Sequence, residues 1–232
     1  MATAIARFPS PSEQRAETEC KKQRDYSIGE EVFNAVTHGV GTLLAIATIP
    51  LCVVRAVSGG GGIVLAAALI YSITMVIEYL MSTLYHAIAA PRAKKVFRIL
   101  DHCGIYLYIA GCYTPFCLLT LIDSNGIPLC IFVWAVAIAG IIAEAFWVAR
   151  PRWISAVLYL LQGWAVAVCI PALWTLLDPV GFWLLVVGGV CYTIGAVFYV
   201  FTKKKKFMHS VFHIWVLAGS VFQFFAIFLF VL

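Results

Sequence analysis

The chain has 232 residues, of which 63% are hydrophobic and 12% are charged, and its formal net charge is +5. A soluble domain has about a quarter of its residues charged, so this composition excludes an ordinary water-soluble globular protein. Apolar runs of about twenty residues instead favour helices in lipid, because only helices and closed barrels satisfy their backbone there, and these runs are too continuously apolar for barrel strands.

The first 33 residues are polar and carry charges of both signs. They contain no apolar stretch of the kind that forms the centre of a cleavable signal peptide. We therefore predict a flexible cytoplasmic tail over residues 1–33 and a transmembrane domain over residues 34–232.

Seven long apolar runs follow the tail, separated by glycine, proline and charged residues that end membrane spans. Each run is long enough to cross the hydrocarbon core as a helix. The predicted spans are residues 36–57, 62–89, 97–122, 127–149, 153–176, 181–202 and 207–231. The sequence therefore predicts an all-α integral membrane protein, a bundle of seven transmembrane helices.

The lysines and arginines predict the orientation of this bundle. All sixteen except Arg55 lie in the tail or in the second–third, fourth–fifth and sixth–seventh loops. These segments share one side of a seven-span chain, and the positive-inside rule makes that side cytoplasmic. We expect the N-terminus in the cytoplasm and the C-terminus outside. The run Lys203–Lys206 is interpreted mainly as an orienting signal, with attraction of anionic lipid headgroups as the alternative.

The eight cysteines show neither a disulfide pattern nor a metal-binding pattern. None belongs to a CxxC pair, and all except Cys20 lie within or beside apolar runs. A free cysteine in such surroundings behaves as a small hydrophobic residue. We interpret all eight as structural thiols.

Ionisable side chains inside membrane spans are costly and usually serve a function. His86 lies near the cytoplasmic end of the second span, and Asp101 lies near the start of the third. His209 and His213 lie near the start of the seventh span. Four such groups from three helices are therefore expected at a similar depth, and this convergence is the main indication of a functional site.

The spacing of His209 and His213 places both imidazoles on one face of a helix. With His86 as a third ligand, the fourth position of a tetrahedral zinc ion would stay open for water. Asp101 is a candidate general base for that water, and Ser82, one turn before His86, is a candidate hydrogen-bonding group. A single histidine at a helix end is more often interfacial, but three histidines and an aspartate at one depth favour a metal site.

Three other polar residues have more than one interpretation. Glu78 lies two turns before His86 on the same helix face, and Glu144 lies inside the fourth span without an evident partner. Three roles fit each acid: a neutral buried group, a residue on a proton path, or a hydrogen-bond anchor between helices. For Glu144 we favour a structural role. His102 is adjacent to Asp101 and therefore points in another direction.

These residues belong to a set of ordered motifs. The motifs are Glu31-Val-Phe-Asn34-Ala-Val-Thr37-His38-Gly39 at the first span, Ser82-Thr-Leu-Tyr-His86 at the end of the second, Leu100-Asp101-His-Cys-Gly-Ile-Tyr106 and Tyr113-Thr-Pro115-Phe116 in the third, and Met208-His209-Ser-Val-Phe-His213 at the start of the seventh. Together they resemble the haemolysin III family, the prokaryotic-type branch of the progestin and adipoQ receptor family. The resemblance covers about residues 30–232.

The resemblance implies a zinc ion at the cytoplasmic side of the bundle. It implies His86, His209 and His213 as the metal ligands. It also implies Asp101 close to the zinc-bound water and Ser82 as the serine of the second-span motif.

The first-span motif matches the family, and one position in the seventh span departs from it. Glu31, Asn34 and His38 match the motif and are interpreted as groups that support the ligands or begin the helix, where Asn34 is also a candidate N-cap. Gln223 stands where many bacterial relatives have a further histidine, nearly three turns beyond His213. This departure puts in doubt only a role for that extra histidine.

Three functions are consistent with the sequence. The favoured one, implied by the family and the related alkaline ceramidases, is a zinc-dependent hydrolase of a lipid amide or ester that acts from the inner leaflet. The second is a non-catalytic membrane sensor or receptor-like regulator with structural zinc. The third is haemolysin or pore-type lysis of membranes. A lipid of the bilayer is the expected substrate or ligand, and nucleic acid is not an expected partner.

Overall fold

The computed structural model describes residues 26–147, 151–202 and 205–232 and is helical, with no strand among these residues. Within this described part of the chain, seven helices are long and apolar enough to cross a membrane, which confirms the predicted number of spans. In chain order the first to seventh spans are Ile28–Gly59, Gly62–Ala87, Pro91–Thr120, Gly126–Trp147, Arg152–Leu176, Pro179–Val200 and Met208–Phe230.

The first span begins earlier than predicted. Ser27 is its N-cap and forms a capping box with Glu30, so the helix starts at Ile28 rather than near residue 36. Residues 28–33, which the sequence analysis assigned to a flexible tail, are therefore helical. The same prediction for residues 1–25 lies outside the described part of the chain.

The outer face of the bundle is apolar. Side chains such as Phe146 and Val168 are 87% and 76% exposed, whereas most histidines and carboxylates of the spans are buried. Of these histidines and carboxylates, Glu31 and His102 are only partly buried. The distribution is otherwise the reverse of that in a water-soluble protein and fits a lipid environment. Seven described cysteines are free thiols, as predicted, and Cys20 lies outside the described residues.

Consecutive spans pack against one another, and the first span also packs against the seventh. Contacts between Glu31, His86 and Lys94 bring the start of the first span, the end of the second and the start of the third together. Asn34 and Ser210 join the start of the seventh span to the same region. We call this region the histidine end of the bundle.

The fifth span is not a continuous α-helix. Residues Arg152–Gly163 and Ile170–Leu176 are α-helical, but the intervening Trp164–Cys169 segment is a 3-10 helix. Tyr113 of the third span compensates for this change, because its hydroxyl donates to the carbonyl of Gly163 (2.6 Å) and accepts from the amide of Val166 (2.9 Å). A backbone irregularity at membrane depth is tolerated when protein groups satisfy it in this way.

Replacing Tyr113 by phenylalanine should therefore lower the thermal stability of the purified protein. The substitution leaves a part-buried carbonyl and a part-buried amide without their partner, which costs about 1 kcal/mol for each lost hydrogen bond. Tyr71→Phe is the matched control, because Tyr71 is fully buried and its hydroxyl binds no main-chain group of the described residues. Unfolding in detergent should show a lower transition temperature for Tyr113→Phe alone, and equal temperatures for both variants would contradict this account.

Candidate metal centre

Three buried histidines meet at the histidine end. His86 comes from the last turn of the second span, and His209 and His213 come from the first two turns of the seventh. One ring nitrogen of each lies within 4.8 Å of a ring nitrogen of the other two, so the set could hold a metal ion. The predicted convergence of these three side chains is thus present in the fold, and their role as ligands stays a prediction.

The two histidines of the seventh span point to a common place. Their Nε2 atoms are 3.1 Å apart, and the Nδ1 atom of each is buried without a partner among the described residues. Two nitrogens that bind one tetrahedral zinc ion at 2.0–2.1 Å are about 3.3 Å apart. The separation of His209 and His213 is therefore suited to a shared ion.

His86 is held by a carboxylate and a lysine. Its Nδ1 lies 2.6 Å from Oε2 of Glu31, and Oε1 of the same carboxylate lies 2.9 Å from Nζ of Lys94. Lys94 also donates to the backbone carbonyl of Tyr85 at 2.7 Å. His86 Nε2 is left buried with no partner among the described residues. A carboxylate on one ring nitrogen fixes the orientation and tautomer of a metal-binding histidine, so Glu31 presents Nε2 to the site.

The other two residues of the first-span motif also reach the seventh span. Oδ1 of Asn34 accepts a hydrogen bond from Ser210 Oγ at 2.6 Å, inside the helix, so the N-cap role considered for Asn34 is wrong and belongs to Ser27. The ring of His38 stacks on His213 with centroids 3.5 Å apart. Both residues therefore position the seventh span rather than begin the first.

The entry of the chain into the seventh span is fixed by Glu30. Its Oε1 accepts from the backbone amide of Phe207 at 2.8 Å, while Oε2 accepts from Ser27. Phe207 adopts a left-handed conformation, with φ of 61°, which is unfavourable for a bulky residue. The bond from Glu30 stabilises this turn two residues before His209.

Tyr26 covers the histidines from the end of the bundle. Its ring stacks on His209 with centroids 4.7 Å apart and an interplanar angle of 17°. Its hydroxyl accepts a hydrogen bond from Nη2 of Arg152 at 3.2 Å. A role for Tyr26 or Arg152 beside the histidines could not be predicted from the sequence, because their contact depends on the packing of two distant chain segments.

Asp101 and Ser82 face the histidines across a small cavity. Both are buried, and they line a cavity of about 20 Å³ together with His209 and His213. Space of this size holds a water molecule if polar groups surround it. The candidate base and the candidate hydroxyl thus adjoin the same space as two of the candidate ligands.

A second, larger cavity of about 170 Å³ lies deeper in the bundle. Most of its wall comes from the third, fifth, sixth and seventh spans and is apolar, including Trp164 and Phe182. Glu78, Ile105 and Phe212 line both cavities, so these three side chains form the boundary between the polar space and the apolar one.

Glu144 has partners that the sequence did not reveal. Oε2 of Glu144 lies 3.4 Å from Nδ1 of His102, and the hydroxyl of Tyr159 donates to Oε1 at 3.2 Å. The contacts join the third, fourth and fifth spans and agree with the structural role favoured for this acid. Nδ1 of His102 is accordingly directed at Glu144, while the residue also lines the small cavity beside the histidines.

A sequence profile described as "Haemolysin-III related" matches residues 26–224. The chain belongs to this family. It is 40% identical over 205 residues to "Hemolysin-3" of Bacillus cereus, covering 88% of this chain and 93% of that protein. It is 38% identical over 202 residues to the "Hemolysin-3 homolog" of Bacillus subtilis (strain 168), covering 87% and 94%.

A more distant similarity extends to animals. The human "Monocyte to macrophage differentiation factor" is 23% identical over 165 residues, which cover 69% of this chain and 68% of the human protein. This similarity supports the link to the progestin and adipoQ receptor family. No solved structure matches the chain significantly.

Replacing Glu31 by alanine should weaken zinc binding about 10–100-fold, as loss of a carboxylate behind a metal-binding histidine typically does. The affinity can be measured by competition with a chromophoric chelator. Asp178→Asn is the control, because Asp178 caps the start of the sixth span and touches none of the histidines. Equal zinc affinity in wild type and Glu31→Ala would show that Glu31 does not position a ligand.

Proposed function

We propose that this protein is a zinc-dependent hydrolase that cleaves an amide or ester bond of a membrane lipid. The observation that carries the proposal is the junction of two cavities. A polar space lined by Asp101, Ser82 and two histidines shares a wall with an apolar space inside the bundle. Such a pair of spaces suits a molecule that has a reactive carbonyl group and a long apolar chain.

The residues present fit a zinc ion. His86, His209 and His213 offer imidazole nitrogens within 4.8 Å of one another, the Nε2 atoms of His209 and His213 are 3.1 Å apart, and Nε2 of His86 is buried without a partner among the described residues. Imidazole is a preferred ligand of zinc, and a site with three protein ligands leaves a position for water or substrate. When bound, zinc would polarise the substrate carbonyl and make a water molecule more acidic.

Asp101 and Ser82 supply the remaining groups for hydrolysis. Asp101 takes a proton from water as the water oxygen bonds to the carbonyl carbon, and it returns that proton to the leaving nitrogen or oxygen as the scissile bond breaks. Ser82 donates a hydrogen bond to the carbonyl oxygen, where negative charge develops. The products are a fatty acid and an amine or alcohol.

The apolar cavity and the charge distribution support a lipid substrate. Acyl chains bind in apolar cavities for the same reason that they associate in membranes. The distribution of lysine and arginine favours an orientation with the histidine end at the cytoplasmic face. In this orientation the scissile bond of a lipid would enter from the inner leaflet.

A regulator with structural zinc is the alternative that one observation favours. Tyr26 stacks on His209 and, with Arg152, covers the histidines from the end of the bundle, which would restrict access to a metal. The names of the Bacillus relatives refer to haemolysis, and we interpret lysis as an indirect effect of altered lipids.

Replacing Asp101 by asparagine should retain zinc and lower hydrolysis about 10²–10⁴-fold, the usual contribution of a general acid–base group. Release of fatty acid from lipid amides and esters can be followed by mass spectrometry on protein in nanodiscs. Asp123→Asn is the control, because Asp123 lies in the third–fourth loop at the opposite end of the bundle. Full turnover by Asp101→Asn would exclude the assigned role.

Removal of the metal distinguishes a zinc-dependent hydrolase from a regulator with structural zinc. For a hydrolase, chelation should abolish turnover reversibly, and added zinc should restore it. For a structural clamp, chelation should lower the unfolding temperature markedly, while the zinc-loaded protein hydrolyses none of the lipids. The second pattern would overturn the proposed function.

A further inference from the structure

Glu78 is the polar side chain at the boundary between the two cavities. It is only 4% exposed, and it lines both the small polar space and the larger apolar space. The other two side chains of this boundary, Ile105 and Phe212, are apolar. A ligand that passes from one space into the other must therefore pass the carboxyl group of Glu78.

The fold makes room for this carboxyl group but does not satisfy it. The second and third spans approach closely here, since a methyl group added to Gly104 would lie 3.2 Å from the Cα atom of Glu78. Oε2 of Glu78 lies against Gly104 of the third span and is buried without a hydrogen-bond partner among the described residues. A buried carboxyl group without a partner is unfavourable, and because the side chain of Glu78 also lines both cavities, a ligand there that supplies a donor would pair with the other carboxyl oxygen.

The register of the second span indicates which part of a ligand would meet Glu78. Ser82 and Glu78 are one helical turn apart, about 6 Å along the axis. Ser82 and Asp101 line the space where the carbonyl group reacts under the proposed function. The carboxyl of Glu78 is therefore reached by the first few carbons of the acyl chain, before the chain enters the apolar cavity.

We propose that Glu78 selects acyl chains that carry a hydroxyl group within the first few carbons after the carbonyl. Such a hydroxyl donates a hydrogen bond to the carboxyl oxygen, whereas a plain chain leaves this oxygen unpaired against methylene groups. The location of the selected hydroxyl rests on the proposed function, because that function places the carbonyl beside Ser82 and Asp101. Glu78 acts here as a specificity residue that contacts the ligand.

The proposal is tested by displacement of a fluorescent fatty acid from the purified protein in nanodiscs. The competitors are a saturated fatty acid and its 2-hydroxy and 3-hydroxy derivatives of the same length. Wild type should bind at least one hydroxy acid about tenfold more tightly than the plain acid, the difference expected when a buried acceptor gains a donor. Glu78→Leu should lose or reverse this preference, and Glu78→Gln, which keeps an acceptor oxygen, should retain most of it.

Gln223→Leu is the matched control. Gln223 is a buried polar residue of the apolar cavity, but it lies ten residues beyond His213 in the seventh span, far from the carbonyl. This variant should keep the preference for the hydroxy acid.

Zinc content and unfolding temperature, measured for each variant, show whether Glu78→Leu is correctly folded. A folded Glu78→Gln that also preserves the preference identifies the acceptor oxygen, rather than the negative charge, as the selecting feature.

The outcomes separate this inference from the proposed hydrolase. Equal affinities for plain and hydroxy acids in wild type, or a preference that survives in folded Glu78→Leu, would overturn the role of Glu78 even if lipids are hydrolysed. A preference that depends on Glu78 in a protein that hydrolyses no amide or ester would support the binding site and refute the hydrolase. Loss of turnover in Glu78→Gln on all substrates, with no preference in wild type, would assign Glu78 to proton transfer instead.

Discussion

Lipid offers no hydrogen bonds to a polar side chain, and this constraint organises the histidine end of the bundle. Each buried ionisable group there must find a partner in the protein or in a ligand. Glu31 is the partner of His86, and Lys94 is in turn the partner of Glu31. The Nε2 atoms of the three histidines are the ones that a metal ion would use: that of His86 has no partner among the described residues, and those of His209 and His213 contact each other.

Two adjacent acids on the first span hold two other helices. Glu31 orients His86 of the second span, and Glu30 binds the backbone amide of Phe207 just before the seventh. Neighbouring residues on a helix point about 100° apart, which lets one turn of the first span contact both partners. The position of the candidate ligands is thus determined by the start of a helix that contributes no ligand itself. This arrangement explains why the first-span motif accompanies the histidine motifs.

Much of this architecture could be predicted from the sequence, and the features that could not be predicted have identifiable physical causes. The length of the apolar runs gave the seven spans, and helix direction gave the common depth of His86, His209 and His213. Hydropathy alone missed the start of the first helix, because that turn lies in a polar segment, although Ser27 and Glu30 have the spacing of a capping box. The partners of Glu144 depend on helix rotation, and the apolar cavity borders the irregular part of the fifth span. Neither has a signal in local sequence.

The central claim is that three histidines from two helices hold one zinc ion, and elemental analysis of purified protein tests it most directly. Wild type should contain about one zinc per chain, as a site of three imidazoles requires. His86→Ala and the double variant His209→Ala/His213→Ala should each lose it while remaining folded. A folded wild-type protein that contains no metal after purification without chelator would contradict the account, and the histidines would then be interfacial or proton-handling residues.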